Sequence, residues 1–195
     1  MNPVQLAESP PVLKEFLGYM ETIKGKSPKT VQEYFFDLRT FFRFMKMKKN
    51  LISDNLEFSE IPVDDISIEF LATVTLTDVY EFMNFVTTER DNKNAARARK
   101  SASLRAFFRY LTNKTHQLNE NPVQELETPK QKKSLPKYLT LEQSIDLLNA
   151  VDGPYQERDY CILTLFLNCG LRLAELVGLN LSDIRPDHTM RVIGK

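Results

Sequence analysis

The chain has 195 residues, and its 26 Lys and Arg balance 26 Asp and Glu to a formal net charge of zero. Hydrophobic residues make up 42% and charged residues 27%, values that exclude a disordered chain, a collagen-like repeat and a disulfide scaffold. The length suits one ordinary domain or two small ones. No stretch approaches the roughly 20 apolar residues of a membrane span. The N-terminal run MNPVQLAESPPVLKEF lacks the basic-then-apolar order of a signal peptide. Cys161 and Cys169 lie in an apolar run and are expected to be reduced core residues of an intracellular protein.

Zero net charge does not exclude a nucleic-acid partner, because the charge is segregated. Residues 1–50 sum to +4, residues 51–88 to −8, residues 89–137 to +7 and residues 138–195 to −3. Such a chain has distinct electrostatic poles, and a local field steers partners more than the total does.

Helical periodicity dominates. From Pro11 to Lys24, the residues Val12, Leu13, Phe16, Leu17, Met20 and Ile23 share a face, and Gly25 follows. Ser27-Pro28 is a helix start, with Ser27 as cap and Pro28 in the first turn. The long helix after it has an apolar stripe of Val31, Tyr34, Phe35, Leu38, Phe41, Phe42 and Met45. Arg39, Arg43, Lys46, Lys48 and Lys49 are expected on its other face and C-terminal end.

Residues 50–76 read as a long acidic connection through Asp54, Glu57, Glu60, Asp64, Asp65 and Glu69. Thr77 is expected to cap a third helix carrying Val79, Tyr80, Phe82, Met83 and Val86. A fourth helix is expected from about Asn94 to Leu111, apolar through Leu104, Phe107, Phe108 and Leu111 and basic in its first half. A turn or short helix near residues 121–126 follows.

Residues 128–137, with Pro129 and Pro136 bracketing a charged run, read as a linker. The expected organisation is a helical domain over 1–127, the linker over 128–137, and a second region over 138–195. That region begins with a Thr140-capped helix and an apolar helix over about 155–168. Gly170 would close that helix in a left-handed conformation, and another helix follows to Gly178. Met190 to Ile193 reads as a strand with no partner in the sequence. The second region is therefore expected to be incomplete.

Two groups of residues carry chemistry. The first comprises Arg39, Arg43, Lys93, Arg97, Arg99, Lys100 and Arg105 on the basic helices, with Lys130, Lys132 and Lys133 in the linker. A row of cations can be a merely solvated helix face. Segregated charge and small residues at Ala95, Ala96, Ala98, Ser101 and Ala102 favour instead a surface that approaches a phosphate backbone. The second group lies in Asn168-Cys169-Gly170-Leu171-Arg172-Leu173-Ala174-Glu175-Leu176-Val177-Gly178-Leu179, continued by Ser182-Asp183-Ile184. Arg172 and Glu175, three residues apart on a short helix, can share a face.

The run from Gly170 to Ile184 resembles the first arginine motif of the tyrosine-type site-specific recombinases, the phage-integrase-like family, and is most similar to its Xer-type members. Cys169 stands where the family usually has Thr or another small residue. Arg191-Val192-Ile193-Gly194-Lys195 resembles the strand and turn bearing the family's catalytic lysine. Ser103 to Leu111 and Ser27 to Phe44 resemble two helices of its DNA-clamping domain.

The resemblance implies a mainly α fold. A four- to five-helix DNA-clamping, SAM-like core-binding domain would precede the first, incomplete part of an α+β catalytic domain. It also implies cofactor-free phosphoryl transfer, without metal, in which a tyrosine attacks a DNA phosphodiester and forms a 3′-phosphotyrosyl link. Arg172 would stabilise charge on the nonbridging oxygens, Glu175 would orient Arg172, and Lys195 would protonate the leaving 5′-oxygen. The family's later His-x-x-Arg motif and nucleophilic tyrosine have no match. His116 and His188 lack the motif, and Tyr19, Tyr34, Tyr80, Tyr110, Tyr138, Tyr155 and Tyr160 read as core or surface residues.

The expectation is thus a cytoplasmic protein that binds double-stranded DNA but does not cleave it alone. It would be monomeric in solution, while the full-length recombinase would be tetrameric on two duplexes. Two other readings stay open: a naturally short, non-catalytic DNA-binding regulator, and a helical protein-interaction module whose basic face docks an acidic partner.

Overall fold

The computed structural model describes residues 7–52, 56–128, 135–187 and 189–193. The chain divides into two compact units, residues 1–133 and 134–195. The described parts are mostly helical, and no helix among them is long and apolar enough to cross a membrane.

The first unit is built from α1 (Pro11–Thr22), α2 (Pro28–Lys48), α3 (Ile68–Ala72), α4 (Leu76–Thr88) and α5 (Asn94–Asn113). Helix α1 stops one residue before Ile23, which is exposed, so Ile23 does not join the apolar face expected of it. Ser27 caps α2, its side chain accepting from the Thr30 N–H at 3.3 Å. Helix α2 is the hub, packing against α1, α4 and α5. Its stripe meets theirs in a phenylalanine core. Phe16 and Phe107 lie edge to face at 5.3 Å, Phe41 and Phe82 at 5.2 Å, and Phe41 and Phe108 at 6.2 Å. Large aromatic side chains suit so small a unit, because each buries much apolar area and the tilted pairs add to it.

The cap of α4 is Thr75, not Thr77. Thr75 Oγ1 accepts from the Asp78 N–H, and Asp78 in turn accepts from the Thr75 N–H at 2.8 Å. This reciprocal box satisfies two otherwise unpaired donors, which a cap at Thr77 would leave open. Lys48, from the end of α2, reaches Asp78 at 2.5 Å and Glu81 at 2.6 Å. Burial pushes the Asp78 carboxyl up, but the hydrogen bonds from Lys48 and Thr75 outweigh it and hold the group below the ordinary aspartate value. Lys48 is raised in return, chiefly by its hydrogen bonds to Asp78 and Glu81.

The acidic connection is ordered over its described part. A 3₁₀ turn at Phe58–Glu60 leads to Ile61, Val63 and Ile66, all buried, and then to α3. Two cations of α2 fasten it. Arg43 Nε donates to the Ile61 carbonyl at 2.9 Å, and Lys46 Nζ donates to the Pro62 carbonyl at 3.0 Å and to Asp65 at 2.8 Å. Lys46 is only 5% exposed. It is therefore part of the core of this unit rather than of a solvated basic face. After α5, a turn at residues 122–125 buries Val123, with Leu126 close behind.

The second unit holds α6 (Leu141–Asn149), α7 (Gln156–Cys169) and α8 (Leu173–Val177), with a 3₁₀ turn at Leu181–Asp183. Thr140 and Gln143 form a capping box on α6. Gly170 ends α7 at φ 61, the left-handed conformation that glycine adopts without steric cost. The strand expected at Met190–Ile193 is reduced to one antiparallel bridge between Ile184 and Met190. The intervening turn is closed by Arg185 N–H to Thr189 O at 2.9 Å and Arg191 N–H to Asp183 O at 2.8 Å. Val192 and Ile193 have the propensity for a strand but no rungs to pair with among the described residues. Cys161 and Cys169 are exposed free thiols rather than core residues, because α7 buries none of its residues within this unit.

Candidate nucleic-acid interface and arginine motif

The basic residues of the first unit fall into three sets. In the first, the charge is engaged internally. Lys100 is 7% exposed, and its Nζ donates to Asp37 Oδ1 at 2.8 Å. Asp37 itself is 1% exposed. A buried ammonium beside a buried carboxylate cannot move out to a phosphate without leaving that carboxylate uncompensated, so Lys100 leaves the expected DNA-contact set. Arg105 donates to the Leu126 carbonyl at 2.8 Å and to Thr128 Oγ1 at 2.5 Å, tying the end of the unit to α5. Burial lowers the Arg43 guanidinium, and its cationic neighbours Arg39 and Arg90 add to the effect, which Glu8 opposes.

The second set is positioned but partly open. Arg39 lies over the rings of Phe35 and Phe36 at 4.9 and 5.2 Å and meets Glu8 at 3.4 Å. Arg97 donates to Thr87 at 3.0 Å and to Asn94, while its buried Nε has no acceptor among the described residues. Arg99 is bound by Glu33 and Asp37 and keeps 40% of its side chain exposed.

The third set is exposed and has no ion pair among the described residues: Lys93 at the cap of α5, Arg109 on its outer face and Lys29 in the first turn of α2, with Lys14, Lys24, Lys26, Arg90 and Lys114 elsewhere on the unit. Of these, only Lys93 was expected from sequence; Lys29 and Arg109 were not. Lys130, Lys132 and Lys133 lie outside the described residues.

Two helix faces meet here. On α5, Ala95, Arg99, Ala102, Ala106 and Arg109 follow one another at intervals of four and three, and each is exposed or half-buried. On α2, Lys29, Glu33 and Phe36 do the same. The contact of Arg99 with Glu33 and Asp37 sets the two stripes side by side. The small side chains on α5 let another surface come close to its backbone, and the flanking cations give that surface a positive rim.

The arginine motif lies in the second unit. Arg172 follows the left-handed Gly170 and opens α8. Glu175 folds back on it: Oε2 accepts from the Arg172 backbone N–H at 2.8 Å, and Oε1 accepts from the guanidinium NH1 at 2.8 Å. These bonds, the backbone one first, hold the Glu175 carboxyl below its ordinary value. The Arg172 side chain is 82% exposed and that of Glu175 13%. The carboxylate thus fixes one edge of the guanidinium and leaves the rest open for an anion.

Lys195 and His188 lie outside the described residues. Burial raises the phenols of Tyr34 and Tyr110 above the ordinary value, with Asp37 and Glu15 adding to it, the opposite of an activated nucleophile. Among the described residues no three His, Cys, Asp or Glu side chains group as metal ligands would.

Residues 13–115 match the family model described as "Phage integrase, N-terminal SAM-like domain". Tyrosine recombinase XerC of Caldanaerobacter subterraneus subsp. tengcongensis is 52% identical over 186 residues, covering 95% of this chain and 52% of that protein. XerC of Myxococcus xanthus is 33% identical over 190 residues, covering 95% and 56%. Tyrosine recombinase XerD of Listeria monocytogenes serotype 4b is 31% identical over 175 residues, covering 89% and 52%. The chain spans about half the length of these curated relatives.

Proposed function

The chain belongs to the phage-integrase family through its N-terminal SAM-like domain, and on that premise we propose that it supplies the DNA-clamping half of a site-specific tyrosine recombinase. The observation that carries this reading is the α2–α5 face, small along its middle and cationic through Lys29 and Arg109, with the exposed Lys93 at the N-terminal cap of α5. A duplex lying on it would meet cations at the phosphates and a closely approachable helix at the groove. The clamping domain would occupy residues 1–127, with a linker over 128–137 that adds Lys130, Lys132 and Lys133 to the contact. Residues 138–195 would bring the arginine motif to the scissile phosphate.

There, Arg172 would lend its free guanidinium edge to the nonbridging oxygens, where charge builds as a tyrosine oxygen attacks phosphorus. The bond to the 5′-oxygen breaks, and that oxygen takes a proton, for which Lys195 is the candidate donor. The bond energy stays in the 3′-phosphotyrosyl link, so rejoining needs no nucleotide. Glu175 is a positioning residue in this scheme. The whole protein would work in the cytoplasm as a tetramer on two double-stranded DNA segments, a role in keeping with chromosome partition, while the 195-residue chain alone would be a monomer.

The test is a titration of the 195-residue chain against a labelled duplex by fluorescence anisotropy. Lys29→Ala, Lys93→Ala and Arg109→Ala combined should weaken binding roughly equally on every sequence and lower the salt dependence by about one contact per cation removed. Unchanged affinity in the triple variant would overturn the proposed surface.

A further inference from the structure

The Arg99 cluster differs from the other cations of the α2–α5 face in net charge. Arg99 and Lys100 are matched by Glu33 and Asp37, all in direct contact. The group as a whole is neutral, so it offers a phosphate little net attraction and holds a carboxylate that repels one. Lys29, Lys93 and Arg109 carry no such partner among the described residues.

The geometry of the guanidinium is equally particular. Its NH1 takes both acidic contacts, Asp37 Oδ2 at 2.8 Å and Glu33 Oε2 at 2.5 Å. Asp37 is itself immobilised, receiving Lys100 Nζ at 2.8 Å on Oδ1 and Ser103 Oγ at 2.7 Å on Oδ2. The Nε–NH2 edge of Arg99 has no acceptor among the described residues, and 40% of the side chain is exposed. A guanidinium fixed at one nitrogen, with its two-donor edge free, has little orientational freedom left to lose on binding. Ala95 and Ala102 stand one turn to either side of it on the same helix face, so no long side chain keeps the helix away from a groove.

Resting on the DNA-clamping reading above, we infer that Arg99 is a base-reading residue: buttressed by Glu33 and Asp37, it donates its Nε–NH2 edge to the O6 and N7 acceptors of a guanine in the major groove. A guanine edge is a neutral pair of acceptors at the spacing of that fork and does not require net positive charge. This divides the labour on the face. Lys29, Lys93 and Arg109 hold phosphates and set affinity, and Arg99 specifies sequence.

The experiment is selection of duplexes by the 195-residue chain from a pool with a 12-base-pair randomised core, followed by affinity measurement on the selected and on random duplexes. The wild-type chain should enrich an invariant guanine. Arg99→Lys keeps the charge but loses the fork, so it should lower the preference for that guanine about 10-fold or more while the salt dependence stays the same. Glu33→Gln guards against a folding defect in the first variant. It removes a negative charge and one of the two anchors, so binding to random duplex should tighten while the preference for guanine falls.

Wild-type binding without sequence preference would overturn the base-reading role. So would an Arg99→Lys variant that keeps the preference, or one that weakens every sequence equally with a shallower salt dependence. If the wild-type chain binds no duplex, the clamping reading falls, and this inference falls with it.

Discussion

Asp37→Ala is expected to destabilise the helical unit by about 3–5 kcal/mol, because it removes one partner of a buried charge cluster and leaves the other in place. Lys100 is 7% exposed and would lose its carboxylate, and Ser103 and Arg99 would lose a hydrogen-bond acceptor. Whole domains are stable by only about 5–15 kcal/mol, so the loss should appear as a large fall in the denaturant midpoint. Asp37→Leu combined with Lys100→Met tests the cause. Removing both charges and filling their volume should recover most of the loss, since apolar replacements of buried ion pairs are often neutral or better. A single-variant cost below about 1 kcal/mol would mean that the cluster is solvated.

Arg172→Ala is expected to slow DNA cleavage by about 10²–10³-fold in a protein that contains this segment together with a tyrosine nucleophile, the magnitude typical of removing one donor from a developing oxyanion. The readout is the rate of covalent protein–DNA adduct formation on a nicked duplex. Arg172→Lys should rescue little of it, because an ammonium cannot meet two oxygens with one planar fork. DNA affinity should change much less, since the proposed clamping contacts lie on α2 and α5. Glu175→Gln keeps the shape and one acceptor of the clasp at 2.8 Å, so its defect should be smaller than that of Arg172→Ala. Equal defects in the two variants would assign Glu175 a direct part in the reaction.

Elements with a local signal were legible in the sequence. Ser27-Pro28 opened α2, Thr140 opened α6, and Gly170 closed α7, each through chemistry within one turn. The cap of α4 also has a local signal, at Thr75 and not at Thr77: Asp78 stands three residues after Thr75, as a capping box requires. The connection over residues 57–74 was not legible, because Arg43 and Lys46 from a distant helix hold it in place. The strand expected at Met190–Ile193 needs a partner strand that periodicity does not supply, and among the described residues it has one bridge, between Ile184 and Met190.

For the candidate site, segment charges located the basic helices but could not sort their cations. The clue was periodicity applied to charged residues. Asp37 falls between Tyr34 and Phe41, Lys46 four residues after Phe42, and Lys100 four before Leu104, so all three sit on apolar stripes. A charge at such a position implies a polar partner within reach: Asp37 and Lys100 supply each other, both buried, while Lys46 reaches the Pro62 carbonyl and the exposed Asp65. Arg172 and Glu175 were legible as a pair because their clasp is local, three residues apart on α8. The cations facing solvent, Lys29 and Arg109, carried no signal of their own beyond lying off those stripes.

If the helical unit clamps duplex DNA through phosphates, binding by the 195-residue chain must weaken steeply with salt. With Lys29, Lys93 and Arg109 each neutralising one phosphate, the observed association constant should fall with a log–log slope of about −2.7, or roughly 40-fold between about 50 and 200 mM salt. The linker cations Lys130, Lys132 and Lys133 would steepen it further. A flat dependence, or no binding at the lowest salt, would mean that the helical unit does not clamp DNA through phosphates.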